Sequence, residues 1–152
     1  MHGPPYVAVI GPSEASPEEV ARGEAVGRLL AARNAVVVCG GLGGVMEAVS
    51  RGAAGAGGTV LGILPGSDRA DANEHVTLAL TTGMGEMRNA LVVRAADAVI
   101  AVGGAYGTLS EIAFALKFNK PVASLGSWEI DPSIMRASSP EEAVEWVLAR
   151  LR

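Results

Sequence analysis

Short apolar runs alternate along the chain with longer segments whose apolar residues recur at helical spacing. The runs at residues 6–10, 35–39, 59–64, 98–102 and 121–125 are rich in Val, Ile, Leu and Ala, and each is followed by glycine or proline. Unbroken runs of this length predict strands buried on both faces. A weaker run at 76–80 predicts a further strand after a polar loop over 65–73. Helices are predicted between them. Ser16-Pro17-Glu18-Glu19 opens the first, with Ser16 as N-cap, Pro17 in the first helical position and Glu19 completing a capping box. That helix runs to about residue 33 and Asn34 ends it. Others are predicted over 45–54, 84–95 and 108–118, and Ser139-Pro140-Glu141-Glu142 repeats the capping pattern before a C-terminal helix.

This alternation predicts a Rossmann-like α/β fold, a doubly wound parallel sheet of about six to seven strands with helices on both faces, as one domain over residues 1–152. Right-handed crossovers place every strand-to-helix turn at the carboxyl edge of such a sheet. Ligands of these sheets bind in the crevice at that edge. The glycine-rich turns of the chain are therefore expected side by side.

Composition narrows the picture. Hydrophobic residues make up 49% of the chain and aromatic residues 4%, so small aliphatic side chains must fill the core. With a net charge of −4 and no run of Lys or Arg, neither a nucleic-acid polymer nor an anionic membrane is expected as a partner. No stretch reaches the roughly 18 to 20 apolar residues of a membrane span. Cys39 has no second cysteine to pair with, which together with the lack of a leader-like N-terminus points to the cytoplasm. Cys39 itself ends a strand and is expected as a buried small hydrophobe. His2 and His75 have no partner at metal-ligand spacing, and no metal site is expected.

Two turns carry the candidate chemistry. Gly40-Gly41-Leu42-Gly43-Gly44 joins a strand to a helix, and glycines there let backbone approach a ligand while free helix-start amides attract an anion. Met46 stands where the dinucleotide fingerprint needs its last glycine, and no Gly-Lys-Ser/Thr follows as in a Walker A loop. Gly103-Gly104-Ala105-Tyr106-Gly107-Thr108 is the second turn, with Glu111 one helical turn further on. Thr108 and Glu111 read either as phosphate and ligand contacts or as a plain capping box. Arg88, in an otherwise apolar helix, can pair with phosphate or with Glu111, and Arg94 is its competitor. Gly11 and Ser13, in the first turn, complete the candidate edge. The expected contacts of a phosphorylated, nucleotide-like ligand are thus Gly11, Ser13, Gly40, Gly41, Gly43, Met46, Arg88, Gly103, Gly104, Tyr106, Gly107, Thr108 and Glu111. Tyr106 is left open between stacking on a ligand and packing. The helices at 84–95 and 108–118 carry more apolar surface than one sheet face can cover, which predicts self-association.

The combination of Gly40–Gly44, Arg88 and Gly104-x-x-Gly107-Thr108-x-x-Glu111 resembles the LONELY GUY superfamily, also labelled lysine decarboxylase-like, over residues 7–125. Its cytokinin-activating members carry Pro-Gly-Gly-x-Gly-Thr-x-x-Glu and an Arg-Lys pair. Here Gly103, Ala105 and Asn89 stand in place of the Pro, the second Gly and the Lys. The variant turn is more similar to the branch that includes molybdenum cofactor carrier proteins. The resemblance implies a Rossmann-like sheet, a homodimer or homotetramer, and either of two activities. One is binding of a phosphorylated ligand, an AMP-like nucleotide or molybdenum cofactor, with no cofactor needed for chemistry. The other is phosphoribohydrolase cleavage of a nucleoside 5′-monophosphate, with Arg88 and Glu111 as the catalytic pair. No lysine is placed for the pyridoxal phosphate chemistry that the decarboxylase label would need. A regulatory nucleotide sensor is a third expectation from the same pocket.

Overall fold

A computed structural model describes residues 3–151, and His2 lies outside the described residues. The chain runs β1 (Tyr6–Ile10), α1 (Pro17–Ala32), β2 (Val36–Cys39), α2 (Val45–Gly55), β3 (Val60–Leu64), β4 (Leu78–Thr81), α3 (Arg88–Arg94), β5 (Ala98–Val102), α4 (Tyr106–Lys117), β6 (Val122–Leu125), β7 (Met135–Arg136) and α5 (Pro140–Ala149). All seven strands are parallel, in the order β4-β3-β2-β1-β5-β6-β7. The doubly wound α/β sheet expected from the sequence is therefore present. The short β7 is an addition, as is the single 3-10 turn Arg69–Asp71 within the polar loop.

Helix starts follow the local chemistry. Ser16 accepts from the Glu19 amide at 3.1 Å while Glu19 accepts from the Ser16 amide at 2.9 Å, the predicted box. Ser139 caps α5 in the same manner. Asn34, beyond the end of α1, takes a left-handed φ of 58°, a conformation that Asn tolerates better than most residues. The predicted helix at 84–95 is shorter than expected. Gly85, at φ 59°, opens a 3-10 turn through Met87, and regular helix begins only at Arg88.

Alternate strand residues feed two cores. Val7, Val9, Val37, Ile100 and Val102 face α1, α2 and α5, whereas Ala8, Ile10, Val38, Val99 and Ala101 face α3 and α4. Strands are added outward from β1 to β4, after which the chain returns past β1 to β5. The switch between β1 and β5 opens a crevice at their carboxyl ends, where the turns after β1, β2 and β5 meet.

Close helix packing tightens this frame. A Cβ on Gly27 of α1 would lie 2.1 Å from the Val49 carbonyl of α2, and one on Gly52 would lie 2.0 Å from the Glu24 carbonyl. These clashes are with backbone, which cannot swing aside. Gly27→Ala gains about 1 kcal/mol of helix propensity. It also overpacks the crossing, at a cost of about 1–3 kcal/mol or more. Net destabilisation is expected in urea unfolding, with a lower midpoint at unchanged slope. A midpoint equal to or above wild type would show that α1 and α2 can separate freely.

Candidate functional site

The crevice is a cleft of about 580 Å³ at the carboxyl edge of the sheet, lined by the first turn (Gly11, Ser13), by Gly40 and Met46, and by Arg88. Tyr106, Gly107, Thr108 and Glu111 of α4 form its other wall. Nine of the thirteen predicted contacts thus line one cavity. Gly41, Gly43, Gly103 and Gly104 do not. A Cβ on Gly41 would press on Leu64, one on Gly103 on the Glu19 carboxylate, and one on Gly104 on the Trp128 indole. Their want of a side chain answers to neighbours in the fold. Gly44 is constrained by backbone: its φ is 64°, and a Cβ there would sit 2.2 Å from the Pro12 carbonyl.

The helices that open onto the cleft differ from those that do not. α1 and α5, away from it, are capped by serines. α2 starts from Gly44 and α4 from Ala105, and neither has a side-chain cap. α4 begins at Tyr106, two residues earlier than predicted, so Thr108 and Glu111 lie within the helix and cannot form a capping box. Both are instead buried and turned to the cleft. The first-turn amides of an uncapped helix lack intrahelical acceptors and carry the positive end of its dipole. The start of α4 lines the cleft directly, whereas at the start of α2 the Val45 amide donates to the Pro12 carbonyl at 3.0 Å.

Arg88 is buried in the same cleft, at 8% exposure. Its Nε donates to the Ile63 carbonyl at 2.9 Å and one Nη2 hydrogen points to the Gly40 carbonyl at 3.3 Å. Nη1 donates to Asn89 Oδ1. Asn89 in turn donates to Ser110 Oγ at 3.5 Å, and the Ser110 hydroxyl donates to the Gly107 carbonyl at 2.6 Å. One side chain therefore links β3, the turn after β2 and the first turn of α4. All its oxygen acceptors are neutral. Burial pushes the guanidinium pKa down and Glu111 pulls it back up, but an arginine remains protonated at neutral pH. Arg94, its competitor by sequence, is exposed and lies over the Phe118 ring, 3.8 Å from the centroid. Asp97 accepts from the Tyr6 amide at 2.9 Å, well outside the site.

Arg88 and Glu111 share the cleft without an ion pair, and among the described residues the Glu111 carboxyl has no hydrogen-bond partner. Burial pushes its pKa up to about 8, with Arg88 opposing the shift. The carboxyl is then mostly protonated near neutral pH, a donor as well as an acceptor.

Sequence reasoning passed over Asn73. Its amide donates to the Gly41 carbonyl and its side chain to the Leu42 carbonyl, both at 2.9 Å. The polar loop thereby holds two carbonyls of the glycine turn in place. No periodicity marks a residue that works by reaching 31 positions back. Cys39 is buried as expected, and burial pushes its thiol pKa up. Among the described residues no group of three or more His, Cys, Asp or Glu could hold a metal ion, and no helix is long and apolar enough to cross a membrane.

The raised Glu111 pKa has a stability consequence. The folded state holds the proton more tightly than the unfolded chain, so this contribution is complete below about pH 4.5 and is lost as pH rises through about 8. Glu111→Gln removes that loss. In urea titrations the variant is expected to exceed wild type by on the order of 4 kcal/mol above pH 8, with the gap closing toward pH 5. Parallel stability curves would show that the carboxyl is ionised in the folded protein.

Comparison with known proteins agrees with this architecture. The model of the SLOG cluster4 family matches residues 4–149. An uncharacterized protein of Archaeoglobus fulgidus is 42% identical over 143 residues, 94% of each chain. The molybdenum cofactor binding protein of the phototrophic bacterium Rippkaea orientalis superposes with a TM-score of 0.94 at 35% identity, covering 100% of this chain and 99% of that one. The molybdenum cofactor carrier protein of Chlamydomonas reinhardtii gives 0.90 at 29% identity, over 97% and 98% of the two chains. The resemblance to the carrier branch of the LONELY GUY superfamily stands on these matches, and the chain belongs to the SLOG cluster4 family.

Proposed function

We propose that this protein binds and carries a phosphorylated pterin, the molybdenum cofactor, with the phosphate group in the cleft between the turns that open α2 and α4. The observation that carries the reading is a buried guanidinium without an ion pair in a cleft that the uncapped start of α4 lines. Arg88 supplies the fixed positive charge, and the amides of Gly107 and Thr108 supply donors that need no side chain. Thr108 and protonated Glu111 add hydroxyl donors. Donors of this kind suit the oxygens of a phosphate monoester. The remaining cleft volume leaves room for the rest of the molecule. The cargo named for the Rippkaea and Chlamydomonas proteins, which match this chain over nearly its full length, supports the choice of ligand. Phosphoribohydrolase chemistry asks Glu111 for negative charge as the ribose becomes cationic. Burial withholds that charge near pH 7.

Equilibrium binding of molybdenum cofactor tests the reading. Wild type is expected to retain the cofactor, with inorganic phosphate competing. Arg88→Met is expected to lose about ten- to hundredfold in affinity, the worth of one charge-assisted hydrogen-bond set. Thr108→Val, a near-isosteric change, should lose several-fold with the fold intact. Binding that ignores both substitutions and phosphate would place the ligand elsewhere. Adenine released from AMP by wild type but not by Glu111→Ala would make the protein an enzyme.

We further infer that the protein assembles as a homodimer or homotetramer through the face that carries β4, α3 and α4. Leu78 and Leu80 of β4 are 58% and 51% exposed, and Met84 and Met87 beside them 47% and 69%. Leu80 pairs in register with core residue Ile63, so the exposed leucines continue the α3/α4 core outward. Large apolar side chains exposed along an edge strand are a feature of contact surfaces. Sedimentation at micromolar concentration should give a species larger than one chain, and Leu78→Glu with Leu80→Glu should give a folded monomer. A monomeric wild type would refute the assembly.

A further inference from the structure

Trp128, in the segment after β6, was given no role by sequence pattern, yet it is built into the second glycine turn. Its indole N–H donates to the Ala105 carbonyl at 3.2 Å. Its edge occupies the space over Gly104, where a Cβ would stand 2.7 Å from Nε1. From that seat the indole stacks on Tyr106, with ring centroids 6.2 Å apart and planes inclined by 23°. Tyr106 itself is 83% exposed, although it begins the helix whose Thr108 and Glu111 are buried. It also lines the cleft. One face of the ring is thus backed by a hydrogen-bonded indole while the rest is left to solvent at the cleft wall.

A large aromatic ring held this way buries little on the protein's own account. A planar ligand ring stacked on it would bury the open face, and the backing indole lowers the entropy that the tyrosine must lose on binding. The amides of Gly107 and Thr108 follow Tyr106 directly in the chain, so a ring platform and an anion site adjoin on one helix start.

We propose that Tyr106 is the stacking platform for a planar heteroaromatic ring borne by the phosphorylated ligand, and that Trp128 is the positioning residue that holds the platform in place. This rests on the proposed phosphate site and adds to it a requirement that ring and phosphate belong to one molecule. Purine and pterin rings share the relevant chemistry, a flat nitrogen-rich π surface, and the test separates them.

Three probes are titrated calorimetrically into the full chain: AMP, ribose 5-phosphate, and the phosphate-free 6-hydroxymethylpterin. Wild type is expected to bind AMP about tenfold or more tighter than ribose 5-phosphate, the usual effect of one base on one aromatic ring. Tyr106→Ala should erase that ratio and leave ribose 5-phosphate affinity unchanged, while Tyr106→Phe should keep it. Trp128→Ala should weaken AMP several-fold, with Trp128→Phe restoring most of the loss. In a Trp146→Phe background, either ring should quench Trp128 fluorescence and ribose 5-phosphate should not. With free adenine titrated beside these three as the phosphate-free purine, tighter binding of the pterin than of adenine would assign the platform to pterins, and the reverse to purines. Equal affinity for AMP and ribose 5-phosphate in wild type, or equal weakening of both in Tyr106→Ala, would overturn the platform while leaving the phosphate site intact. Ring binding without any ribose 5-phosphate binding would overturn the phosphate reading and keep the platform. Failure of all three probes would overturn both.

Discussion

The arrangement of the carboxyl edge depends on the burial of one guanidinium. Arg88 reaches from the start of α3 to carbonyls of β3 and of the turn after β2, and through Asn89 and Ser110 to the first turn of α4. Taking a cation out of water is costly unless it is well hydrogen-bonded. Here neutral carbonyls and an amide supply the bonds, and Arg88 forms no ion pair, although Glu86 and Glu111 line the same cleft. The cleft keeps a positive charge that is held rigidly and already desolvated. Gly40 belongs to this constraint, because a Cβ there would stand 2.5 Å from Arg88 Nη2.

The helix starts follow the same logic. A chain that can place serine caps on α1 and α5 leaves α2 and α4 uncapped where they face the cleft. Capping would add about 1 kcal/mol of stability per helix. The turn before α2 cannot take such a cap, because a Cβ at Gly44 would collide with the Pro12 carbonyl. At α4 the capping position is held by Ala105, whose side chain cannot accept a hydrogen bond. Local stability is given up at the switch point of the sheet, where the start of α4 lines the cleft.

The sheet and most of the cleft were legible in the sequence because they depend on short-range signals. Apolar run length marked the strands, and glycine at strand ends marked the turns, whose convergence then followed from crossover handedness alone. Arg88 and Glu111 were legible as polar residues in apolar helical segments. What escaped depends on distance along the chain. Asn73 acts on a turn some 30 residues earlier, and Trp128 on one some 20 residues earlier. Gly27 and Gly52 matter only because α1 and α2 cross closely. The glycines of the turns also divided in a way spacing could not show, since Gly41, Gly103 and Gly104 serve packing while Gly40 lines the cleft. The β7 strand has two residues, too short for any periodicity.

Two ionisable groups in one cavity would ordinarily form an ion pair and cancel. Arg88 and Glu111 form no ion pair, and burial raises the Glu111 pKa while Arg88 opposes the shift. The pair is asymmetric: an arginine that cannot lose its proton beside an acid that holds one until about pH 8. Arg88 presents N–H donors and a protonated Glu111 carboxyl an O–H, with Glu86 also in the lining of the cleft. The same two residue types, in a wetter cleft, would give an ionised carboxylate suited to stabilising positive charge. Whether this edge of the fold holds an anion or promotes a reaction therefore depends on how much water reaches one carboxyl group.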